Sequence, residues 1–262
     1  MYPSFTMSTD GFKREQKDAF HGYDEGTAAR FFQRVTRVAE RFDIQVEGLE
    51  NVPRGRALFV ANHAFGWDVV VPMAAIAQRL NRHVWVLGEK AWWRVPFLRG
   101  FAARVGIVDG TQDNADRLLQ GDELVLVLPG GLREAVKPQE LRYQLLWGNR
   151  YGFVRAALRN QAPIIPLASI GTDEIFDLVG NPYARGFRWL GCSKIPIPLP
   201  SRILPIPHLV KPHFAIGEAI PMDAPPETEH DFNRVRRLRR EVEGALHELI
   251  ENELAKRAGL EL

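Results

Sequence analysis

Short apolar runs alternate with longer segments of helical periodicity between residues 44 and 217. Seven segments are predicted as strands: Ile44–Glu47, Ala57–Ala61, Val84–Gly88, Gly106–Val108, Leu124–Leu128, Pro163–Ser169 and Pro212–Gly217. The predicted helices between them are Asp68–Leu80, Val95–Ala103, Gln112–Gln120, Tyr151–Arg159 and Thr172–Leu178. This alternation predicts an α/β fold with a central, mostly parallel sheet flanked by helices. Ligands of such sheets bind at the carboxyl ends of the strands.

Two more helices flank the alternating region. Residues 30–42 form an amphipathic N-terminal helix, and residues 231–258 a long C-terminal helix. The first of these carries an apolar side and four arginines: Arg30, Arg34, Arg37 and Arg41. Such a helix lies on an anionic membrane surface or packs on the main domain with its arginines in solvent. We divide the chain into a leader with this helix, 1–42, and a main domain, 43–262.

An apolar segment at residues 186–212 interrupts the pattern. Five prolines lie between residues 195 and 210, which excludes a helix or a central strand there: Pro196, Pro198, Pro200, Pro205 and Pro207. The segment therefore packs over the core as a long loop or enters the lipid interface.

Composition narrows the classes of protein. The chain has 262 residues, a net charge of +2 and a single cysteine, Cys192. One cysteine excludes an internal disulfide, and the seven histidines form no recognisable metal-binding pair, so we expect no metal. Because the net charge is nearly neutral, we expect no nucleic-acid partner. The polar start of the chain lacks a signal-peptide core, and no apolar run approaches the roughly 18 residues of a membrane span. We expect a cytoplasmic protein.

A histidine and an aspartate stand five positions apart where the second predicted strand ends. Residues five apart on a regular helix point about 140° away from each other. His63 and Asp68 therefore meet only if a turn separates them, and Gly66 makes such a turn easy. A histidine oriented by a carboxylate is a general base. A helix-capping Asp68 with His63 at the edge of the core fits the same residues.

A glycine-rich turn follows the strand predicted at 124–128. Its residues are Pro129, Gly130, Gly131, Leu132, Arg133 and Glu134. Paired glycines at a strand end let the backbone approach a ligand and aim N–H groups at an oxyanion. Arg133 suits a forked contact with a phosphate or carboxylate, and Glu134 suits a pair with Arg133 or with a substrate hydroxyl. A simple turn is the alternative.

Four segments, taken in order, resemble the glycerolipid acyltransferase superfamily over about residues 43–220. Its blocks are Asn-His-x4-Asp, a lysine followed by Pro, Gly, Ile and Asp, Pro-x-Gly-x-Arg, and an apolar strand with two prolines. The matching residues are Asn62, His63 and Asp68; Lys90, Pro96, Gly100 and Ile107–Asp109; Pro129, Gly131 and Arg133; Pro163 and Pro166.

The resemblance implies that residues 43–262 form an acyltransferase domain that needs no cofactor. His63, oriented by Asp68, would deprotonate a lipid hydroxyl that attacks an acyl thioester, either acyl-CoA or acyl carrier protein. The substrate-binding residues would be Asn62, Lys90, Gly130, Gly131, Arg133 and Glu134. Lipid substrates imply peripheral binding at the inner face of the membrane. The oligomeric state stays open.

Two departures from the phosphate-acceptor members point to a branch of the superfamily. Gly130 stands where those members have a glutamate, and Gly110 where they have an arginine. The Pro-Gly-Gly-x-Arg-Glu sequence is more similar to the type-two diacylglycerol acyltransferases, which implies a neutral acceptor. A thioesterase or lipid ester hydrolase that uses the same two residues, and a non-catalytic lipid-binding protein, are the alternatives.

Overall fold

The computed structural model of the chain describes residues 22–64, 68–88, 96–176, 208 and 210–260. Within them the helices are α1 (Glu25–Arg41), α2 (Val70–Leu80), α3 (Pro96–Arg104), α4 (Gln112–Gln120), α5 (Gly131–Ala135), α6 (Gly152–Arg159) and α7 (Phe232–Arg257). The strands are β1 (Gln45–Glu47), β2 (Ala57–Ala61), β3 (Val84–Gly88), β4 (Ile107–Asp109), β5 (Leu124–Val127), β6 (Ile164–Ile170) and β7 (His213–Ile216).

The strands form one sheet in the order β1-β7-β6-β2-β5-β3-β4. Neighbours pair in parallel except β6 and β7, which are antiparallel, so β1 and β7 run against the other five strands. The predicted α/β class and the mostly parallel sheet are confirmed, and each predicted strand lies within one residue of an observed one. The sequence pattern did not predict the direction of β7.

Both faces of the sheet are covered by helices. Side chains of the central strand β2 alternate between the two faces, and all five are buried. Leu58 and Val60 pack with residues of α4, α6 and α7. Phe59 and its neighbours on the other face pack with α1 and α2, where Phe32 and Ile76 are buried. An apolar run without alternation, as in β2, is what a strand buried on both faces requires.

Polar side chains fix the starts of the helices. Asp24 accepts a hydrogen bond from the Thr27 N–H at 2.6 Å, so α1 begins five residues before the predicted start at Arg30. Asp231 caps the long helix α7 in the same way and confirms the predicted C-terminal helix. The helix predicted at Thr172–Leu178 is wrong in its described part, because only one 3-10 turn, Thr172–Glu174, is present there.

Two predicted features lie outside the described residues. These are the leader before residue 22 and nearly all of the proline-rich segment 186–212, with Cys192. Among the helices that the structure does describe, none combines the length and apolar character needed to cross a bilayer.

Candidate active site

His63 lies just beyond the carboxyl end of β2, near the middle of the sheet. Because β5 and β6 pair with β2 in parallel, three strands end at this edge beside the histidine. The turns that follow them bring the glycine-rich residues 129–131 and the residues after β6 to the same place. The sheet topology thus gathers groups that are up to about a hundred positions apart in the chain.

His63 and Asp68 are in direct contact. His63 Nδ1 lies 2.5 Å from Asp68 Oδ2, and the same oxygen accepts the Ala64 N–H at 2.6 Å. Asp68 is completely buried, whereas 13% of the His63 side chain is exposed. The contact keeps the proton of the neutral ring on Nδ1 and leaves Nε2 as the nitrogen that can accept another proton. The predicted meeting of the two side chains therefore occurs.

Three charged side chains tune the imidazole. Burial by itself disfavours the charged ring, but the carboxylates of Asp68 and Glu134 outweigh it, and the pKa of His63 is raised above its ordinary value. Lys137 acts in the opposite direction. The ring is therefore a stronger base than a free imidazole.

The environment of Glu134 differs from the predicted pairing with Arg133 or a substrate hydroxyl. Its side chain is completely buried, and its Oε1 and Oε2 accept hydrogen bonds from the backbone N–H groups of His63 at 2.7 Å and Leu146 at 2.8 Å. Burial raises its pKa, while Lys137 and these two N–H donors oppose the rise. A carboxylate with both oxygens engaged in this way supports the histidine rather than pairing with Arg133 or contacting a substrate hydroxyl.

Asn62 is also structural. Its side chain is fully buried and bonds both backbone groups of Ser169: Nδ2 donates to the carbonyl at 2.9 Å, and Oδ1 accepts from the N–H at 2.8 Å. The pair ties the end of β2 to the end of β6, beside His63. The predicted substrate contact through Asn62 is corrected to a clamp between strands, because no part of the side chain reaches solvent.

Lys137 and Asp173 form a buried ion pair that sequence reasoning missed. Lys137 Nζ lies 2.8 Å from Asp173 Oδ2 and also donates to the His63 carbonyl at 3.1 Å. Asp173 accepts the Tyr143 N–H at 2.7 Å. Burial raises the pKa of Asp173, and Lys137 counteracts this rise. Nothing in the sequence pattern marks these residues, since neither belongs to a periodic apolar face or a recognised motif.

The glycine-rich turn lies beside His63, and its two glycines differ in conformation and hydrogen bonding. Gly131 has a φ of +54° and donates its N–H to the Leu128 carbonyl at 2.9 Å, so this N–H is already engaged. Gly130 is buried with a φ of −66°, and its N–H has no acceptor among the described residues. Of the two predicted oxyanion donors, the Gly130 N–H is therefore the available one.

Two arginines stand beside this turn. Arg150 Nη1 donates to the Pro129 carbonyl at 2.6 Å and lies so close to Gly131 that a β-carbon there would be 2.5 Å away. Arg150 lines the large cavity next to His63, whereas Arg133 is exposed and is not part of the cavity wall. Lys90, the other predicted anion contact, lies outside the described residues.

A cavity of about 810 Å³ opens at His63. Its wall is mainly apolar and comes from both faces of the sheet: Phe31 and Val35 of α1 and Met73 of α2 on one face, and Ala115 and Ala156 of α4 and α6 on the other. Such a volume with few polar groups is typical of sites for apolar small molecules. The sequence did not indicate that α1 forms part of this wall.

The family model for diacylglycerol acyltransferases matches residues 53–195, which is more than half of the chain. The chain belongs to the diacylglycerol acyltransferase family.

Relatives of this family member come from bacteria and animals. A Mycobacterium tuberculosis protein, named only as uncharacterized, is 33% identical over 80% of this chain and 63% of its own length. The chicken "DGAT1/2-independent enzyme synthesizing storage lipids" is 34% identical over 68% of this chain and 52% of its own. The chain thus spans less than two thirds of the length of these relatives.

A solved structure supports the fold. The crystal structure of the 1-acyl-sn-glycerophosphate acyltransferase PlsC from Thermotoga maritima has a TM-score of 0.57 to this family member. The likeness covers 94% of this chain and 88% of that chain. At 19% identity, it shows a shared fold.

Three potential metal ligands meet at the β1 edge of the sheet. Glu47, His213 and Glu253 bring ligand atoms within 4.8 Å of one another. Lys256 Nζ lies 2.6 Å from Glu253 and 3.6 Å from Glu47, and these carboxylates raise the pKa of Lys256. Because the Lys256 ammonium already neutralises the carboxylates of Glu47 and Glu253, we interpret the cluster as an ion-pair network.

Proposed function

We propose that this protein transfers a fatty acyl group from acyl-CoA to the hydroxyl of a neutral glycerolipid or long-chain alcohol. One observation carries the proposal: His63, held through Nδ1 by a buried aspartate, lines an apolar cavity large enough for a lipid chain. Membership in the diacylglycerol acyltransferase family supports the reaction class. The name of the chicken relative supports a role in the synthesis of storage lipids.

In the proposed reaction, His63 Nε2 takes the proton from the acceptor hydroxyl while its oxygen attacks the thioester carbonyl carbon. Alcohols are too weakly acidic to ionise at neutral pH, so the proton must leave as the new bond forms. The carbonyl oxygen becomes an oxyanion, for which we assign the Gly130 N–H as a donor. The carbon–sulfur bond then breaks, and the thiolate takes the proton from His63. No metal or redox partner is needed for this balance.

The cavity suits the hydrocarbon part of the substrates. Its volume lies within the range of roughly 300–1,000 Å³ that is usual for small-molecule sites. Among described residues, Arg150 is the cation in its wall, and Arg133 lies nearby on the surface. We assign these two arginines, with Lys90, to the phosphates of the acyl donor.

An apolar stripe along α1, which runs from the cavity wall to the surface, supports docking on an anionic membrane. The side chains of Phe31, Val35, Val38 and Phe42 follow one another at helical spacing and form what we call the α1 stripe. Val38 is 53% exposed and Phe42 62% exposed. The four arginines at 30, 34, 37 and 41 are exposed along the neighbouring side of the helix. An apolar stripe flanked by arginines is typical of a helix at the lipid interface, and we propose peripheral binding at the cytoplasmic face.

The test is release of CoA thiol from palmitoyl-CoA by the wild type and His63→Ala, with diacylglycerol, a long-chain alcohol or lysophosphatidate as acceptor. We expect release that depends on a neutral acceptor and is lost in the variant. Release without any acceptor would instead identify a thioesterase. A protein with no release on any acceptor, including when acyl carrier protein is the donor, would contradict the proposal and favour a lipid-binding role.

A further inference from the structure

Side chains of opposite charge bind both backbone groups of His63. Glu134 Oε1 accepts the His63 N–H at 2.7 Å, and Lys137 Nζ donates to the His63 carbonyl at 3.1 Å. The two side chains are three residues apart, at the end of the short helix α5 and just after it. One short piece of chain, about seventy residues downstream, therefore holds the His63 backbone on both sides of its α-carbon.

Neither side chain is free to adjust. Glu134 is fully buried and Lys137 is 6% exposed. Each has a second anchor: the Leu146 N–H at 2.8 Å for Glu134, and Asp173 at 2.8 Å for Lys137. Hydrogen bonds that involve a charged group are shorter and roughly twice as strong as neutral ones. The His63 backbone is thus fixed by a preformed frame of buried side chains.

Glu134 and Lys137 have opposite effects on the protonation of the His63 ring. Asp68 and Glu134 are the carboxylates that favour the protonated ring, and Lys137 is the ammonium that disfavours it. Asp173 faces Lys137 and is also under the influence of Asp68. The lysine thus limits the effect of two carboxylates packed against one histidine.

We propose that Glu134 and Lys137 are a matched pair of positioning residues, which hold the His63 backbone on both sides of its α-carbon and balance the charge around its ring. This inference rests on the proposed function, because it assigns the pair to His63 as the base. The two residues act through His63 and do not contact the substrate. Their removal therefore affects turnover more than substrate binding.

The decisive experiment compares the pH dependence of kcat/KM for Glu134→Gln and Lys137→Met. The acidic limb is the part of the profile in which kcat/KM falls as the pH decreases. Glu134→Gln removes a carboxylate and moves this limb to lower pH, whereas Lys137→Met removes an ammonium and moves it to higher pH, each by about one unit. In both variants kcat falls about 10- to 100-fold while KM for palmitoyl-CoA changes little, because a displaced base loses its alignment. A loss of structure alone would not shift the acidic limbs of the two variants in opposite directions.

Three further variants complete the design. Lys137→Arg keeps the charge and the donors, and we expect a profile near that of the wild type. The double variant Glu134→Gln/Lys137→Met removes both charges, so its limb returns toward the wild-type position while kcat stays low. Asp116→Asn weakens a different ion pair, with Arg159, which is not bonded to His63 and does not act on its charge. It lowers stability without moving the limb.

A second measurement does not require turnover. Carbethoxylation of His63 by diethyl pyrocarbonate, followed by peptide mass spectrometry as a function of pH, reports the protonation of this ring directly. If the wild type shows no acyl transfer but the variants shift the carbethoxylation midpoint in opposite directions, the proposed function fails and the charge balance stands. Shifts in the same direction, or none in either folded variant, overturn the inference.

Discussion

The carboxylate of Glu134 occupies the space that a side chain on residue 130 would need. A β-carbon built on Gly130 would lie 2.0 Å from Glu134 Oε2 and 2.4 Å from the Glu134 β-carbon. The backbone of Gly130 itself is unstrained, with a φ of −66°. The glycine is therefore required by its neighbour, because only an absent side chain lets Glu134 turn back toward the His63 N–H.

Replacement of this glycine tests the relationship. Gly130→Ala forces Glu134 off His63, and we expect the free energy of unfolding to fall by about 1–3 kcal/mol, as for other overpacked sites. Activity should fall at least as much as in Glu134→Gln. Chemical denaturation and thiol release measure the two effects. Gly244→Ala is the matched control: its added β-carbon has no atom within 4 Å, and an alanine inside α7 stabilises by about 0.5–1 kcal/mol.

The charges around His63 predict the pH dependence of the wild type. Against the effect of burial, Asp68 and Glu134 raise the pKa of the ring, and a general base works only when it is neutral. We therefore expect kcat/KM to be constant at alkaline pH and to fall as the pH decreases through a value above the usual imidazole pKa. A profile measured with palmitoyl-CoA checks this. An acidic limb at or below the ordinary value would contradict the assignment.

The cavity wall predicts the chain-length preference. Ala156 is 1% exposed and lines the cavity, so Ala156→Leu removes space that a long chain needs. We expect the ratio of kcat/KM for palmitoyl-CoA to that for octanoyl-CoA to fall about tenfold or more. The octanoyl activity of the same variant serves as its internal control. Equal losses with both donors would mean that the acyl chain lies elsewhere.

The α1 stripe predicts the mode of membrane binding. Val38→Asp with Phe42→Asp places charge where we expect contact with lipid, and flotation with vesicles that contain anionic lipid should lose most of the bound protein. Leu260→Asp, a change at another exposed apolar residue of 63% exposure, should leave flotation unchanged. Failure of the wild type to float at low salt would contradict the proposed peripheral binding to the membrane.

Local sequence patterns predicted most of the fold and part of the site. Apolar runs marked the central strands, because a strand buried on both faces, like β2, leaves an unbroken apolar signal, whereas the edge strand β1 holds only one apolar residue, Val46. The meeting of His63 and Asp68 was predicted on the condition that a turn separates them. The roles of Glu134 and Asn62 were not predicted, because their partners lie 71 and 107 positions away in the chain. Long-range hydrogen bonds between polar groups leave no periodicity from which they can be predicted.

The place of α1 in the fold bears on how fast a lipid reaches the site. Its inner residues Phe31 and Val35 form part of the cavity wall, and the same stripe continues outward to Val38 and Phe42. Each methylene group exposed to water costs about 0.8 kcal/mol, or about 12 kcal/mol for a chain of fifteen. With α1 seated on a bilayer, a chain that slides along this stripe stays covered, and the barrier to entry falls by much of that amount. Turnover then follows the lipid concentration within the membrane plane rather than the concentration dissolved in water.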